Sequence, residues 1–420
     1  MLLKTLQSFK QRGGIWFFSS SMIDRLFRFL LSFMLMAYLA KSQFGQWSYA
    51  LVFVSTFAPI KSLGLESSII NGSASVDSKN INAFFRSNFY RAIAIAFGMS
   101  LMCIGVTLII PTQFNEARHL IYILCLWLIS SSAYELNLAY YRAKKDHKTY
   151  AKIQTFYTIC FIVLASSAVY FSGTTALAWV FVSTPVLVLM SFRPAFLSAK
   201  SFDFNAYSFK KLISLGFKMS VSNYASLLLF YLDTFLISYL AENPDNILAD
   251  YRTATLIPLN ITYLASIYLT NDYVYLVENK TNKSYLLNYL KQYSILFLAL
   301  LGSCILALYF GSDWIWTELF NGKYQDSAVY FNILLVGSVA IFLFRIPAGN
   351  MLSALDKVGF NVKIAYSALI FNAILSYFLF QSYQTAGIAY GSVISLALSG
   401  LVSYLYLLRH INNLPHSKEQ

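Results

Sequence analysis

Charged residues are scarce in this chain: only 12% of its 420 residues are Asp, Glu, Lys or Arg, whereas 58% are apolar. Soluble proteins carry about 25% charged residues, so this composition predicts a membrane protein. The four cysteines stand singly within apolar runs, which predicts neither a disulfide framework nor a structural metal site. No GxSxG, HExxH or phosphate-loop motif is present and the four histidines are scattered, so the sequence does not predict an enzyme.

Long apolar runs are the dominant feature of the sequence. A helix that crosses a bilayer needs about 20 mostly apolar residues. Twelve runs satisfy this requirement, near residues 15–39, 47–69, 87–110, 118–141, 150–171, 174–196, 213–240, 249–275, 287–310, 326–350, 359–380 and 386–408. The sequence therefore predicts an all-α integral membrane protein with twelve transmembrane helices.

Lysine and arginine are distributed asymmetrically around these runs. If the N-terminus is cytoplasmic, the outer loops contain only three of the 31 basic residues, Lys41, Arg118 and Lys323. Because basic loops stay on the cytoplasmic side, this asymmetry predicts that both termini are cytoplasmic. The net charge of +13 is then explained by topology and by attraction to anionic lipid headgroups, and no nucleic-acid partner is predicted.

The two halves of the chain show signs of an internal repeat. Residues 13–40 align without a gap with residues 214–241, and the aligned segments contain "AYLA" and "SYLA". Each copy would hold six spans and enter the membrane in the same direction, as in transporters built from parallel repeats. The repeat predicts two pseudo-symmetric six-helix lobes around a central cleft, with an N-terminal lobe at 1–197, a cytoplasmic linker at 198–212 and a C-terminal lobe at 213–420.

Three stretches carry a family resemblance. They are "GFKMSVSNYASLLLFYLDTFLISYLAENPDNILADYRTATLIPLN" (216–260), "LSALDKVGFNVKIAYSALIFNAILSYFLFQSYQTAGIAYGSVIS" (352–395), and the pattern from Arg25 through Phe44 to Ser48. Together they resemble the Wzx-type O-antigen flippases of the MOP superfamily, a group of polysaccharide-biosynthesis membrane proteins similar in fold to MATE-type drug exporters.

This resemblance implies a function in lipopolysaccharide or similar polysaccharide biosynthesis. It implies transfer of an undecaprenyl-pyrophosphate-linked oligosaccharide from the inner to the outer leaflet of the bacterial inner membrane, by alternating access. The implied partners are that polyprenyl-diphosphate-linked oligosaccharide, the membrane lipid, and a polysaccharide polymerase with its chain-length machinery. It implies no cofactor other than a coupling ion, either a proton or sodium.

Ionisable residues lie deep within several spans, where such groups are rare and mark functional sites. Four of them are cations: Arg25, Arg28, Lys61 and Arg345. Because guanidinium and ammonium groups bind phosphate oxygens well, we hypothesise that these four bind the pyrophosphate. The spacing of four residues between Asp24 and Arg28 leaves an alternative open, in which these two residues form a structural ion pair on one helix.

Three acids lie at comparable depth: Asp24, Glu135 and Asp233. They either bind the coupling ion or balance the nearby cations, and the sequence leaves both roles open. Glu66, Arg252 and Asp272 lie closer to span ends, so their side chains are expected to reach the membrane interface. Helix breakers inside spans, at Pro59 with Gly64, Pro185, Pro258 and Pro347, predict kinks.

Two other functions are compatible with a chain of this kind, a membrane glycosyltransferase and a MATE-type exporter. Membrane glycosyltransferases have a similar number of spans, but they carry a long outer catalytic loop, whereas the longest outer connection here is about 16 residues. A MATE-type exporter of drugs or other small organic molecules would need an acidic cavity for cationic cargo. The deep residues instead include four cations and three acids, which favours an anionic cargo.

Overall fold

The computed structural model describes residues 14–73, 76–77, 79–109, 115–199, 209–320 and 322–414. This part of the chain is helical and contains no strand, which confirms the all-α prediction. The chain divides into two compact units, Met1–Tyr224 and Ala225–Gln420. Most of the predicted linker, residues 200–208, lies outside the described residues, so the predicted lobe boundaries remain a prediction.

The described residues of the first unit form six helices and the beginning of a seventh. They are α1 (Gly14–Tyr38), α2 (Lys41–Phe57), α3 (Leu65–Ser73), α4 (Ile81–Ile109), α5 (Asn115–Ala143), α6 (His147–Ser191) and the first half of α7 (Phe209–Leu240). Helix α6 has a non-helical residue at Gly173, whose φ is +75°, so it contains the fifth and sixth predicted spans. Buried aromatic residues of α4, including Phe84, Phe85 and Phe89, form the core of this unit with Tyr140.

The second predicted span is interrupted between α2 and α3. A 3₁₀ turn at Ala58–Ile60 contains Pro59, which has no N–H to donate to the preceding turn. The chain then passes through Leu63 and Gly64, both with positive φ, before α3 begins. The predicted kink is confirmed here, and it places Lys61 in the break rather than within a helix.

In the described residues of the second unit, six further α-helices follow α7. They are α8 (Pro244–Glu278), α9 (Lys283–Phe310), α10 (Ser312–Trp314), α11 (Ser327–Ala340), α12 (Ile346–Ala354) and α13 (Val358–Asn412). A π-helical segment, Ile341–Arg345, joins α11 to α12, and Pro347 lies in the first turn of α12. Helix α13 has a non-helical residue at Gln384, with φ +52°, so it contains the last two predicted spans.

The twelve predicted spans all correspond to helical segments of the described residues. Six continuous helical stretches are long and apolar enough to cross a membrane. Two of these, α6 and α13, each contain two spans. The other four spans are α1, the α2–α3 pair, α7 and α8, and each carries charged residues that lower its hydropathy. Pro185 and Pro258 lie inside helices that continue past them, in α6 and α8.

Candidate functional site

Two charged residues of α1, Asp24 and Arg28, contact α6. Nε of Arg28 donates to Oδ2 of Asp24 at 2.8 Å, and Oδ1 of Asp24 accepts from the Thr158 hydroxyl at 3.0 Å. The Arg28 guanidinium lies 5.9 Å from the ring centre of Tyr157 and 5.4 Å from that of Phe161, within the range of cation–π attraction. The ion pair that the sequence left as an alternative is therefore present, and two rings of α6 support it.

Lys61 lies in the break of the second span and reaches α5. Its Nζ donates to Oε1 of Glu135 at 2.7 Å and to the Ser131 hydroxyl at 3.0 Å. Lys61 is 2% exposed, so its ammonium depends on these partners, whereas 46% of the Glu135 side chain is exposed. The sequence showed no partner for Lys61 within its own span, because its partners lie 70 and 74 residues away.

Glu66 lies beside this pair. Its carboxylate accepts hydrogen bonds from the Ser62 hydroxyl and, at 3.0 Å, from the Ser132 hydroxyl on α5. Both serines are fully buried. The expectation that Glu66 reaches the membrane interface is therefore wrong, because the interruption of the second span turns its first helical turn toward α5.

Arg345 ends the π-helical segment of the second unit. Its Nη1 donates to the hydroxyl of Ser399 on α13 at 2.5 Å, and Gly400 gives the Arg345 backbone room to approach α13. The Tyr293 hydroxyl donates to the carbonyl oxygen of Phe342 at 2.7 Å within the same segment. Segments of π-helix frequently occur at functional sites. Among the described residues, Arg345 forms no ion pair with a carboxylate.

Asp233 is buried in α7, where hydroxyl groups hold it. Tyr251 of α8 donates to Oδ2 of Asp233, and Ser392 of α13 donates to Oδ1. Nδ2 of Asn372 donates to the Ser392 hydroxyl at 3.1 Å, and Ser376 donates to Oδ1 of Asn372 at 2.8 Å. The sequence identified Asp233 but missed its two direct partners and the two residues behind them, which come from two other helices and give no recognisable spacing.

The two remaining charged residues of the span ends also bind within the protein. The Arg252 guanidinium lies 5.7 Å from the ring centre of Tyr231, and its Nη2 is buried without a hydrogen-bond partner. Asp272 accepts a hydrogen bond from the Tyr289 hydroxyl at 2.9 Å. The expectation that Arg252 reaches the interface is wrong, since its guanidinium packs against a ring of α7.

The structure thus joins four of the predicted site residues in two ion pairs, of which the sequence suggested only the first. Arg28 contacts Asp24, and Lys61 contacts Glu135. Arg25 lies three residues before Arg28 on α1 and is partly buried. Asp233 and Arg345 both contact α13, through different serines. No group of three metal-ligating side chains occurs among the described residues.

Two acids outside the spans stabilise connections between helices. The side chain of Asp146 accepts a hydrogen bond from the backbone N–H of Thr149 at 3.1 Å, which caps α6 and lowers the pKa of Asp146. Lys280 donates to Oδ2 of Asp356 at 2.8 Å, and this contact lowers the pKa of Asp356. Both acids are therefore ionised at neutral pH.

Comparison with known proteins assigns the chain to a family. A family model described as "Polysaccharide biosynthesis protein" matches residues 34–266, more than half of the chain. No curated protein matches the chain.

Solved structures of MOP transporters share the fold. The inward-facing structure of a multidrug resistance MATE transporter of the MOP superfamily is 12% identical, with a TM-score of 0.74 over 94% of this chain and 96% of that one. The lipid II flippase MurJ, in an inward closed conformation, is 14% identical, with a TM-score of 0.76 over 96% of this chain and 88% of that one. A MOP superfamily transporter from Pyrococcus furiosus is 14% identical, with a TM-score of 0.65 over 96% of this chain and 95% of that one.

At these identities the likeness establishes the fold, and it confirms the expected twelve-span MOP architecture. These matched structures are of a multidrug transporter, a lipid flippase and a further MOP transporter. The protein therefore belongs to the polysaccharide biosynthesis protein family and is a multi-pass membrane protein.

Proposed function

We propose that the protein flips a polyprenyl-diphosphate-linked oligosaccharide, such as an O-antigen repeat unit, from the inner to the outer leaflet of the bacterial inner membrane. Arg25, Arg28, Lys61 and Arg345 bind the diphosphate, and the lipid tail stays in the bilayer during alternating access. The protein then supplies a polysaccharide polymerase and its chain-length machinery on the outer side, with both of its own termini in the cytoplasm.

The environment of Arg345 carries this proposal. A guanidinium within a membrane span is costly unless an anion or several acceptors surround it. The described residues offer Arg345 the Ser399 hydroxyl and no carboxylate within ion-pair distance. A diphosphate oxygen supplies the negative charge that this guanidinium lacks, and its geometry matches the planar guanidinium fork.

The cations of the first unit support the same ligand chemistry in a different way. Arg28 and Lys61 each have one carboxylate partner, Asp24 and Glu135, which keeps them charged within the spans. A diphosphate carries more negative charge than either carboxylate, so it can replace one of them as the partner of the cation. In this scheme Asp24 and Glu135 balance the charges of the binding residues while the site is empty.

An exporter of organic cations is the alternative, and Asp233 is the feature that favours it. Its carboxylate is held by hydroxyls of Tyr251 and Ser392 rather than by an ion pair. We assign Asp233 instead to the coupling ion, a proton or sodium, since hydroxyl and amide oxygens surround it. Unchanged transport after collapse of both ion gradients would contradict this assignment.

Gene deletion distinguishes the two functions. The flippase predicts loss of surface glycan and accumulation of lipid-linked repeat units in the inner leaflet, whereas the exporter predicts drug sensitivity with intact glycan. Complementation then tests the site: Arg345→Gln, Arg25→Ala and Lys61→Ala should fail to restore glycan export, and Arg193→Gln, which removes an exposed arginine, should restore it. Full export by the three site variants at normal expression would refute the diphosphate site.

A further inference from the structure

The polar cluster beside the break in the second span contains one cation and two carboxylates. Lys61 forms an ion pair with Glu135 at 2.7 Å, and Glu66 lies on the other side of the break without a contact to Lys61 within ion-pair distance. If all three groups are ionised, the cluster has a net charge of −1. Among the described residues no second cation contacts these carboxylates.

The hydrogen-bond partners of Glu66 in the structure are neutral hydroxyl groups. Its two oxygens accept from the hydroxyls of Ser62 and Ser132, which are fully buried. The charged groups that face it are Lys61, from the break, and Glu135, from α5. Helix α4 packs against α3 through apolar residues, among them Phe84, Phe85 and Phe89.

The part of α7 that touches the break adds no charge. It contributes Gly216 and the hydroxyl of Ser220, and the nearby Lys218 is exposed. A carboxylate in such surroundings loses the hydration that stabilises its charge, and Lys61, the cation that faces it, is already paired with Glu135. The charge of the cluster is therefore not balanced from any of the helices that pack against it.

We propose that Glu66 is a proton-binding residue, and that the Lys61–Glu66–Glu135 cluster exchanges one proton with solvent. The proton resides on Glu66 because Glu135 is already paired with Lys61. Glu135 provides the route, since 46% of its side chain is exposed and it touches the buried Lys61 ammonium. Proton binding forms one O–H bond on the Glu66 carboxylate and changes nothing else covalently.

The role of this proton in transport rests on the proposed function. The proton-binding site itself does not depend on that function. When a diphosphate binds Lys61, the ammonium leaves Glu135 and the two carboxylates face additional negative charge. Protonation of Glu66 then becomes more favourable, so diphosphate binding should take up a proton. Lys61, the proposed diphosphate ligand, and Glu66, the proton site, would thus be linked through one cluster.

Infrared difference spectroscopy of the full-length protein in lipid nanodiscs tests the proposal without any substrate. Spectra recorded between pH 5 and pH 9 report the C=O stretch of protonated carboxyl groups. In an Asp233→Asn background, which removes the carboxyl assigned to the coupling ion, the protein should show a pH-dependent band from one buried carboxyl. Glu66→Gln should abolish this band, and Glu278→Gln, which removes an exposed carboxylate at the end of α8, should leave it unchanged.

The net charge of the cluster predicts the result for two further variants. Glu135→Gln should also abolish the band, because Lys61 then balances Glu66 and no proton is needed. Lys61→Met should keep the band, since Glu66 is then left without a cation. The proposal is overturned if the Asp233→Asn protein shows no such band, if the band persists when Glu66→Gln is added, or if adding Glu135→Gln leaves the band unchanged.

A second measurement separates this proposal from the diphosphate site. Calorimetric titration with farnesyl diphosphate in two buffers of different ionisation enthalpy counts the protons taken up on binding. The wild type should take up more protons than Glu66→Gln at the same pH. Failure of farnesyl diphosphate to bind would refute the diphosphate site alone, while binding with equal proton uptake in both proteins would refute the link to Glu66.

Discussion

The contact between Gly64 and Gly216 predicts the effect of adding a single methyl group. The backbone of the break in the second span touches the backbone of α7 at these two glycines. A Cβ on Gly216 would lie 2.6 Å from the carbonyl oxygen of Leu63 and 2.7 Å from that of Gly64, whereas ordinary contacts begin at 3.4 Å. Because both neighbours are backbone atoms, no rotamer change can relieve the clash, and the two segments must separate.

The magnitude follows from three contributions. Overpacking of this kind costs about 1–3 kcal/mol, and for Gly216→Ala the better helix propensity of alanine returns about 1 kcal/mol. The expected net loss of stability is about 0–2 kcal/mol. Gly64→Ala should cost more, because its Cβ would lie 2.2 Å from the Gly216 carbonyl oxygen and its φ of +73° disfavours any L side chain. The left-handed conformation adds about 1–2 kcal/mol, which gives a total of about 2–5 kcal/mol.

Thermal unfolding of the purified protein in detergent measures these differences. The matched control is Gly349→Ala in α12, where a new Cβ meets nothing within 4 Å, and it should be as stable as the wild type or more stable. Since one displacement relieves both clashes, Gly64→Ala with Gly216→Ala should lose less stability than the sum of the single losses. Equal stability of Gly216→Ala and Gly349→Ala, or additive losses in the double variant, would refute the contact.

Three further predictions concern acidic residues. Asp146→Ala removes the cap of α6 and should weaken local stability by about 1 kcal/mol, seen as faster hydrogen exchange at Thr149. Because the folded pKa of Asp146 is lowered, its stabilisation should be present at neutral pH and lost as the pH falls through that pKa. Asp356→Asn should leave the melting temperature unchanged, since its pair with Lys280 is exposed and asparagine tolerates its φ of +61°. Asp233→Asn should preserve folding but abolish ion-driven transport in a vesicle assay.

Site residues were predictable from sequence only one at a time. The low frequency of charge within apolar runs identified Arg28, Lys61, Asp233 and Arg345, because each violates the composition of its span. Most of the residues that contact them could not be predicted from the sequence. Only the pair of Arg28 with Asp24 has a helical spacing, and it is the only pair that the sequence suggested.

The environment of Glu66 could not be predicted from its position in the sequence. Its distance from the end of the second span suggested a side chain that reaches the interface. That position holds only for a straight helix, whereas Pro59 and Gly64 interrupt this span. The interruption changes the direction of the helix after Gly64, and this change brings Glu66 to the serine hydroxyl of α5 rather than to the membrane surface.

Hydropathy and charge, read from the sequence alone, determined that this protein is an all-α membrane protein with twelve spans. Both quantities are sums over contiguous residues, so they need no knowledge of which helices meet. The tertiary structure alone decided that Lys61 is neutralised by Glu135, that Asp233 is held by hydroxyls, and that Arg345 meets a serine and no described carboxylate. Those outcomes depend on contacts between helices far apart in the chain, and in a medium of low dielectric constant the contacts determine what each charge can do.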